Sequence, residues 1–163
     1  MKAIMDKMER QAPDLLQWVK ALLSGNYEQC QARLHDGGGF CCIGVYGRSN
    51  LKYRARDLKS VGEENSDRRK YIRHTYLAAQ GMLNDYGLNS DHYIEANDTG
   101  STFETIAKNI MLDWMFAQML DDLPVSLKRW YWEDEYHEDG FDLTSKQFTF
   151  DKLQKAIDKA LNT

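Results

Sequence analysis

The stretch Ser101–Leu120, STFETIAKNIMLDWMFAQML, decides how this chain is read. Phe103, Ile106, Ala107, Ile110, Met111, Trp114 and Met115 recur three or four residues apart, which draws one apolar stripe along a helix. Ser101 and Glu104 stand at capping-box spacing, so the helix is expected to open there. Its stripe is the longest and most apolar in the chain, which predicts a central position.

Outward from that helix the signals weaken. On the C-terminal side, Pro124 marks a break, because proline removes an N–H and crowds the preceding turn. VSLKRWYW (125–132) suits a strand or an aromatic helical turn, residues 133–142 are acidic, KQFTF (146–150) suits a strand, and a last helix starts at Asp151 with Leu153, Ile157 and Leu161 on one face. On the N-terminal side, residues 88–100 are expected as a loop. Residues 66–86 form a helix with Tyr71, Ile72, Thr75, Leu77, Ala78, Ala79 and Met82 on its apolar face, ended by Gly87. The polar stretch 48–65 is expected as a mobile loop. FCCIGVYG is either a buried strand or a short helix opening at the glycines, and 29–35 carries a short strand. Residues 13–24 are a helix with Pro13 in its first turn and Gly25 beyond its end; Ile4, Met5 and Met8 extend the same spacing earlier.

Composition bounds the rest. A length of 163 residues with 42% apolar and 12% aromatic content suffices for one core, and excludes global disorder. Two prolines argue against a sandwich of many short strands. The expectation is a single compact domain over 1–163, α+β and predominantly α-helical, with four or five helices around a two- or three-stranded sheet. No apolar run reaches about 18 residues, so a transmembrane helix and membrane partners are not expected. The N-terminus lacks a signal-peptide apolar block, which predicts an intracellular protein.

Charge is unevenly distributed. Net charge is −4, which argues against a general nucleic-acid binder. Arg48–Arg73 nevertheless holds nine basic residues against four acidic ones, and Asp121–Asp142 holds eight acidic against two basic. Interleaved with the acids are Trp130, Tyr131, Trp132, Tyr136 and Phe141. Such a strip can imitate a nucleic-acid backbone and enter a basic groove, with aromatic anchors adding contact energy. The expected partner-binding residues are Trp130, Trp132, Glu133, Asp134, Glu135, Tyr136, Glu138 and Asp139. In the alternative, Arg48, Lys52, Tyr53, Arg54 and Arg56 bind a nucleotide or nucleic acid, with Tyr53 stacking on a base.

Catalytic signals are sparse. Cys41 and Cys42 follow the run Gly37-Gly38-Gly39, and a thiol at a helix N-terminus can be held as thiolate, so a cysteine-dependent enzyme is the runner-up reading. None of His35, His74, His92 and His137 is singled out as its base; the plainer account makes both cysteines small core residues. The spacing from Cys30 through His35 to Cys41-Cys42 does not suit structural zinc, and neither a metal nor a cofactor is expected. The glycine run lacks a phosphate-loop signature, and Asn97-Asp98 reads best as a turn capping the next helix.

Two sets of residues resemble a pattern seen in small uncharacterised bacteriophage and prophage proteins. One is Trp18-x-x-Ala21-Leu22-x-Ser24-Gly25-x-Tyr27-x-Gln29, then Arg33-Leu34 and Phe40-Cys41-Cys42-Ile43-Gly44-Val45, similar to a tryptophan helix, a Ser-Gly-x-Tyr turn and a Cys-Cys-Leu-Gly-Val box, with Ile43 in place of leucine. The other is Asn97-Asp98-x-Gly100-x-x-Phe103-x-x-Ile106-Ala107. The resemblance implies a phage origin and contributes no catalytic residue; its boxes look like fold determinants. With the acidic–aromatic strip it leads to the expectation of a phage-type accessory protein, acting in the bacterial cytoplasm. Such a protein binds and inhibits a host or defence protein or ribonucleoprotein in the manner of an anti-CRISPR; homo-oligomers are compatible with this.

Overall fold

The computed structural model describes residues 1–59 and 66–121. The chain is α+β and dominated by helices, with a small three-stranded mixed sheet. Helix α1 (Lys2–Gln11) and helix α2 (Pro13–Leu23) are separated by Ala12, which is buried and non-helical at φ −147° and ψ 59°. Pro13 has no N–H to continue the first helix and sits at the start of the second, so the shared apolar spacing becomes two helices. Gly25 takes φ +69° just beyond α2.

Three two-residue strands follow: β1 (Glu28–Gln29), β2 (His35–Asp36) and β3 (Gly39–Phe40). The order is β1-β3-β2. Strand β1 runs parallel to β3 with Glu28 opposite Gly39, and β2 runs antiparallel with His35 opposite Phe40. Gly37-Gly38 is therefore a two-residue hairpin turn, with Gly37 at φ +62° as such turns require.

Helix α3 (Cys42–Ser49) starts directly after β3, so the FCCIGVYG stretch is a strand and a helix in succession. The one-turn α4 (Ala55–Leu58) lies inside the stretch expected as a loop. Its Leu58 is buried, and Lys59 bridges His35, so this stretch is pinned to the body as far as residue 59. Helix α5 (Ser66–Asp85) buries Thr75, Ala79, Met82 and Leu83, while Tyr71 and Leu77 of the expected apolar face remain exposed.

Helix α6 (Ser90–Asp98) occupies a stretch expected to be a loop. Asn89 caps it by accepting from the Asp91 N–H at 2.9 Å. What it buries is Ser90, Tyr93 and Asn97, whose polar groups hide the helix from a hydropathy pattern.

Helix α7 (Phe103–Asp121) carries the stripe that decided the fold, and all seven of its apolar residues named above are buried. Its start differs from the expected capping box. Thr102 Oγ1 accepts from the Thr105 N–H at 3.2 Å, and Glu104 pairs instead with Lys108 at 2.7 Å. The centre of the molecule is shared: α7 packs along α2, and α2 also packs on α3 and α1. Trp18 and Trp114, from α2 and α7, are both fully buried there.

Candidate functional site

The cysteine box sits where β3 meets α3. Cys41 is the N-cap of α3, and its Sγ accepts from the Gly44 N–H at 3.4 Å. The expected placement of a thiol at a helix N-terminus is therefore realised. The expected consequence is not: burial pushes the Cys41 thiol up to about 11, against the lowering by the Gly44 and Ile43 N–H groups. Desolvation outweighs the helix end because the sulfur lies inside the core.

Cys42 is engaged on every side. Its N–H donates to Asn97 Oδ1 at 3.1 Å, its carbonyl accepts from Trp18 Nε1 at 2.9 Å, and its Sγ donates to the Tyr93 carbonyl at 3.4 Å. Burial raises this thiol as well. Cys30 is half-buried, donates to the Arg33 carbonyl at 3.3 Å, and is raised chiefly by burial. His35 is buried, stacks on Phe40 at 4.3 Å and bonds through Nδ1 to the Gly39 carbonyl at 2.7 Å. His74 bonds instead to the Tyr53 hydroxyl. Among the described residues no three of His, Cys, Asp and Glu are grouped so as to hold a metal ion.

Asn97 proves more important than a turn residue. Fully buried on α6, it accepts from Cys42 N–H and Gln29 Nε2, both at 3.1 Å, and donates to the Cys30 carbonyl at 3.0 Å. It thus caps α3, a helix 55 residues earlier in the chain, where a cap for the following helix was expected. Asp98 Oδ1 accepts from the Ala32 N–H at 2.8 Å and so holds Ala32 at φ +59°. Gln29 bonds the Ser101 carbonyl at 2.6 Å and accepts from the Phe103 N–H at 3.2 Å. Gln29, Cys42, Asn97 and Phe103 therefore belong to one hydrogen-bonded staple joining β1, α3, α6 and α7. Asn97-Asp98 was visible in the sequence; that Gln29 meets it was not, because only the fold brings them together.

The basic stretch forms a ledge on α4 and α5. The Arg48 guanidinium donates to the Tyr53 carbonyl, and the Lys52 ammonium donates to the Ser49 carbonyl. The Tyr53 hydroxyl meets His74 Nδ1 at 2.7 Å, and its ring stands edge-on to Tyr71 with centroids 5.0 Å apart. Arg54 pairs with Asp57 at 2.9 Å, and Arg56 lies 3.9 Å from the same carboxylate. The Arg54 hydrogen bond holds the Asp57 carboxyl below its ordinary range. Trp130, Trp132, Glu133, Asp134, Glu135, Tyr136, Glu138 and Asp139 lie outside the described residues, as do Pro124, His137, the 125–132 segment, the strand expected at 146–150 and the helix expected from Asp151.

A shallow groove of about 240 Å³ lies between α1 and α2, lined by Glu9, Pro13, Leu16, Gln17 and Lys20. No described helix is long and apolar enough to cross a membrane.

Compared with known proteins, residues 14–90 are similar to a family described only as a domain of unknown function (DUF8296). The match runs from α2 to the first residue of α6, so it includes the cysteine box and the basic ledge and stops short of Asn97 and α7. No curated protein and no solved structure matches the chain.

Proposed function

We propose that this is a phage-type accessory protein that binds and inhibits a bacterial host or defence protein, or a ribonucleoprotein, in the host cytoplasm. The observation that carries this reading is the strip Trp130–Asp142, in which six acidic residues alternate with five aromatic ones. Its carboxylates match a basic, nucleic-acid-binding groove on a partner, and its rings supply the anchors that charge alone lacks. The likeness to phage proteins supports the context. The cysteine alternative loses support from the chemistry of the box: Cys41 and Cys42 are buried and their thiols are raised, where a nucleophile needs thiolate and access.

The test is paired affinity capture from bacterial lysate at low and moderate salt. One bait is the parent chain; the other carries Glu133→Gln, Asp134→Asn, Glu135→Gln, Glu138→Gln and Asp139→Asn. A single stoichiometric partner, held by the parent and lost by the neutralised chain with its circular dichroism unchanged, is the expected result. Equal capture by both baits would reduce the strip to a solvated surface.

A further inference from the structure

We infer that the ledge formed by α4, α5 and the turn between α3 and α4 is a second interaction surface, and that it binds single-stranded nucleic acid through Tyr71, Tyr53 and the cations around them. Two observations carry this. The first is charge: described residues 48–59 and 69–74 hold eight basic residues and one acidic one, although the whole chain is net acidic. The acid is Asp57, and with Arg54 and Arg56 both on its carboxylate that group still ends with net positive charge. Lys70 and Arg73 are exposed one turn apart on α5, beside Tyr71 and His74.

The second observation is aromatic geometry. Tyr71 is 37% exposed, so part of its ring faces solvent. Tyr53 is fixed under it from three directions: its N–H donates to the Gly47 carbonyl at 3.0 Å, its carbonyl takes the Arg48 guanidinium, and its hydroxyl meets His74. Arg48 is on this account a positioning residue, which holds the ring that braces Tyr71. A braced, half-exposed ring among cations offers a stacking face to any base, while the cations follow the phosphates. A single strand uses both features at once, its phosphates on the cations and a base on the ring, and an acidic polypeptide is told apart from it by competition.

The surface is independent of the acidic strip, and its test uses purified protein and no lysate. A fluorescently labelled mixed-sequence single strand of about 12 nucleotides is titrated by anisotropy at 50 and 200 mM salt. If three or four phosphates are neutralised, affinity falls about 20- to 50-fold between the two salts. Tyr71→Leu preserves apolar contact with Tyr53 but removes the stacking face, and is expected to weaken binding about fivefold or more at both salts. The double variant Lys70→Gln/Arg73→Gln changes only exposed side chains; it is expected to flatten the salt dependence by one to two phosphates' worth. Absence of binding at 50 mM overturns the inference. So does parent-like affinity and salt slope in both variants, and so does competition by polyglutamate equal to that by unlabelled oligonucleotide.

Discussion

Gly44 shows most directly how one residue governs this fold. A Cβ built there would lie 1.8 Å from the Leu34 carbonyl oxygen, so the loop between β1 and β2 can rest on α3 only because no side chain intervenes. The obstructing atom is backbone, which cannot rotate away, and Gly44→Ala is expected to cost more than about 3 kcal/mol in denaturant unfolding. Gly47→Ala meets side-chain atoms, Thr75 Cγ2 at 2.9 Å and Leu58 Cδ1 at 3.1 Å, in place of a backbone oxygen at 1.8 Å, and should cost less. A milder effect at Gly44 than at Gly47 would show that the loop does not rest on α3 as described. Asn97→Ala would strand the Cys42 N–H and the Cys30 carbonyl inside the protein, with an expected loss of about 2–4 kcal/mol by the same measurement. A loss below about 1 kcal/mol would mean that water takes over the amide's bonds.

At the level of elements, α5 contrasts with α3. Gly81 lies in the C-terminal part of α5, four residues before its last, is exposed, and a Cβ there meets nothing within 4 Å. Gly81→Ala should therefore stabilise the protein by about 0.5–1 kcal/mol through helix propensity alone, read as a higher thermal midpoint. Destabilisation would reveal a close neighbour on that face. Helix α7 depends on Thr102 for its start, and Thr102→Ala should cost about 1 kcal/mol, whereas Ser101→Ala should be near neutral. The reverse order would restore the capping box read from the sequence. Thr102 wins because the chain leaves Gly100 at φ +96°, with the Ser101 N–H already donating to the Ala96 carbonyl at the end of α6.

For the whole molecule, the buried thiols set an alkaline limit on stability. Cys41 ionises near the ordinary thiol value of 9.0 when unfolded and at about 11 when folded. Its protonated form is therefore favoured by folding: the contribution is complete below pH 9 and is lost as pH rises toward 11. The loss from this group is of order 2–3 kcal/mol over that window, and burial of Cys42 and of the Tyr76 hydroxyl, raised to about 12, acts in the same direction. Denaturant midpoints measured from pH 8 to 11 should fall, and Cys41→Ser, which keeps an acceptor for the Gly44 N–H, should fall less steeply. Parallel curves for the two proteins would remove Cys41 as a cause. The same burial predicts that a neutral alkylating reagent modifies half-buried Cys30 first in the native protein, with Cys41 and Cys42 following only on unfolding.

Helix-rich α+β character, the helices beginning at Pro13 and Ser66, and the α7 stripe were legible in the sequence, because burial of one face imposes its period on neighbouring residues. The glycine turn was legible too, for reasons of local backbone geometry; the single short strand expected over 29–35 is instead two strands, β1 and β2, with residues 30–34 between them in neither. Helix α6 was not legible, since its buried residues are a serine, a tyrosine and an asparagine, and the partners of the last two lie on other elements. Nor could the thiol chemistry of Cys41 be read from its neighbours. A helix N-terminus lowers a thiol's pKa through local dipoles that the sequence announces, but desolvation depends on what packs above the sulfur, and only the tertiary structure supplies that. The same holds for Gln29, Cys42 and Asn97: local sequence specified each side chain, while long-range packing decided that their hydrogen-bonding groups meet and hold the elements together.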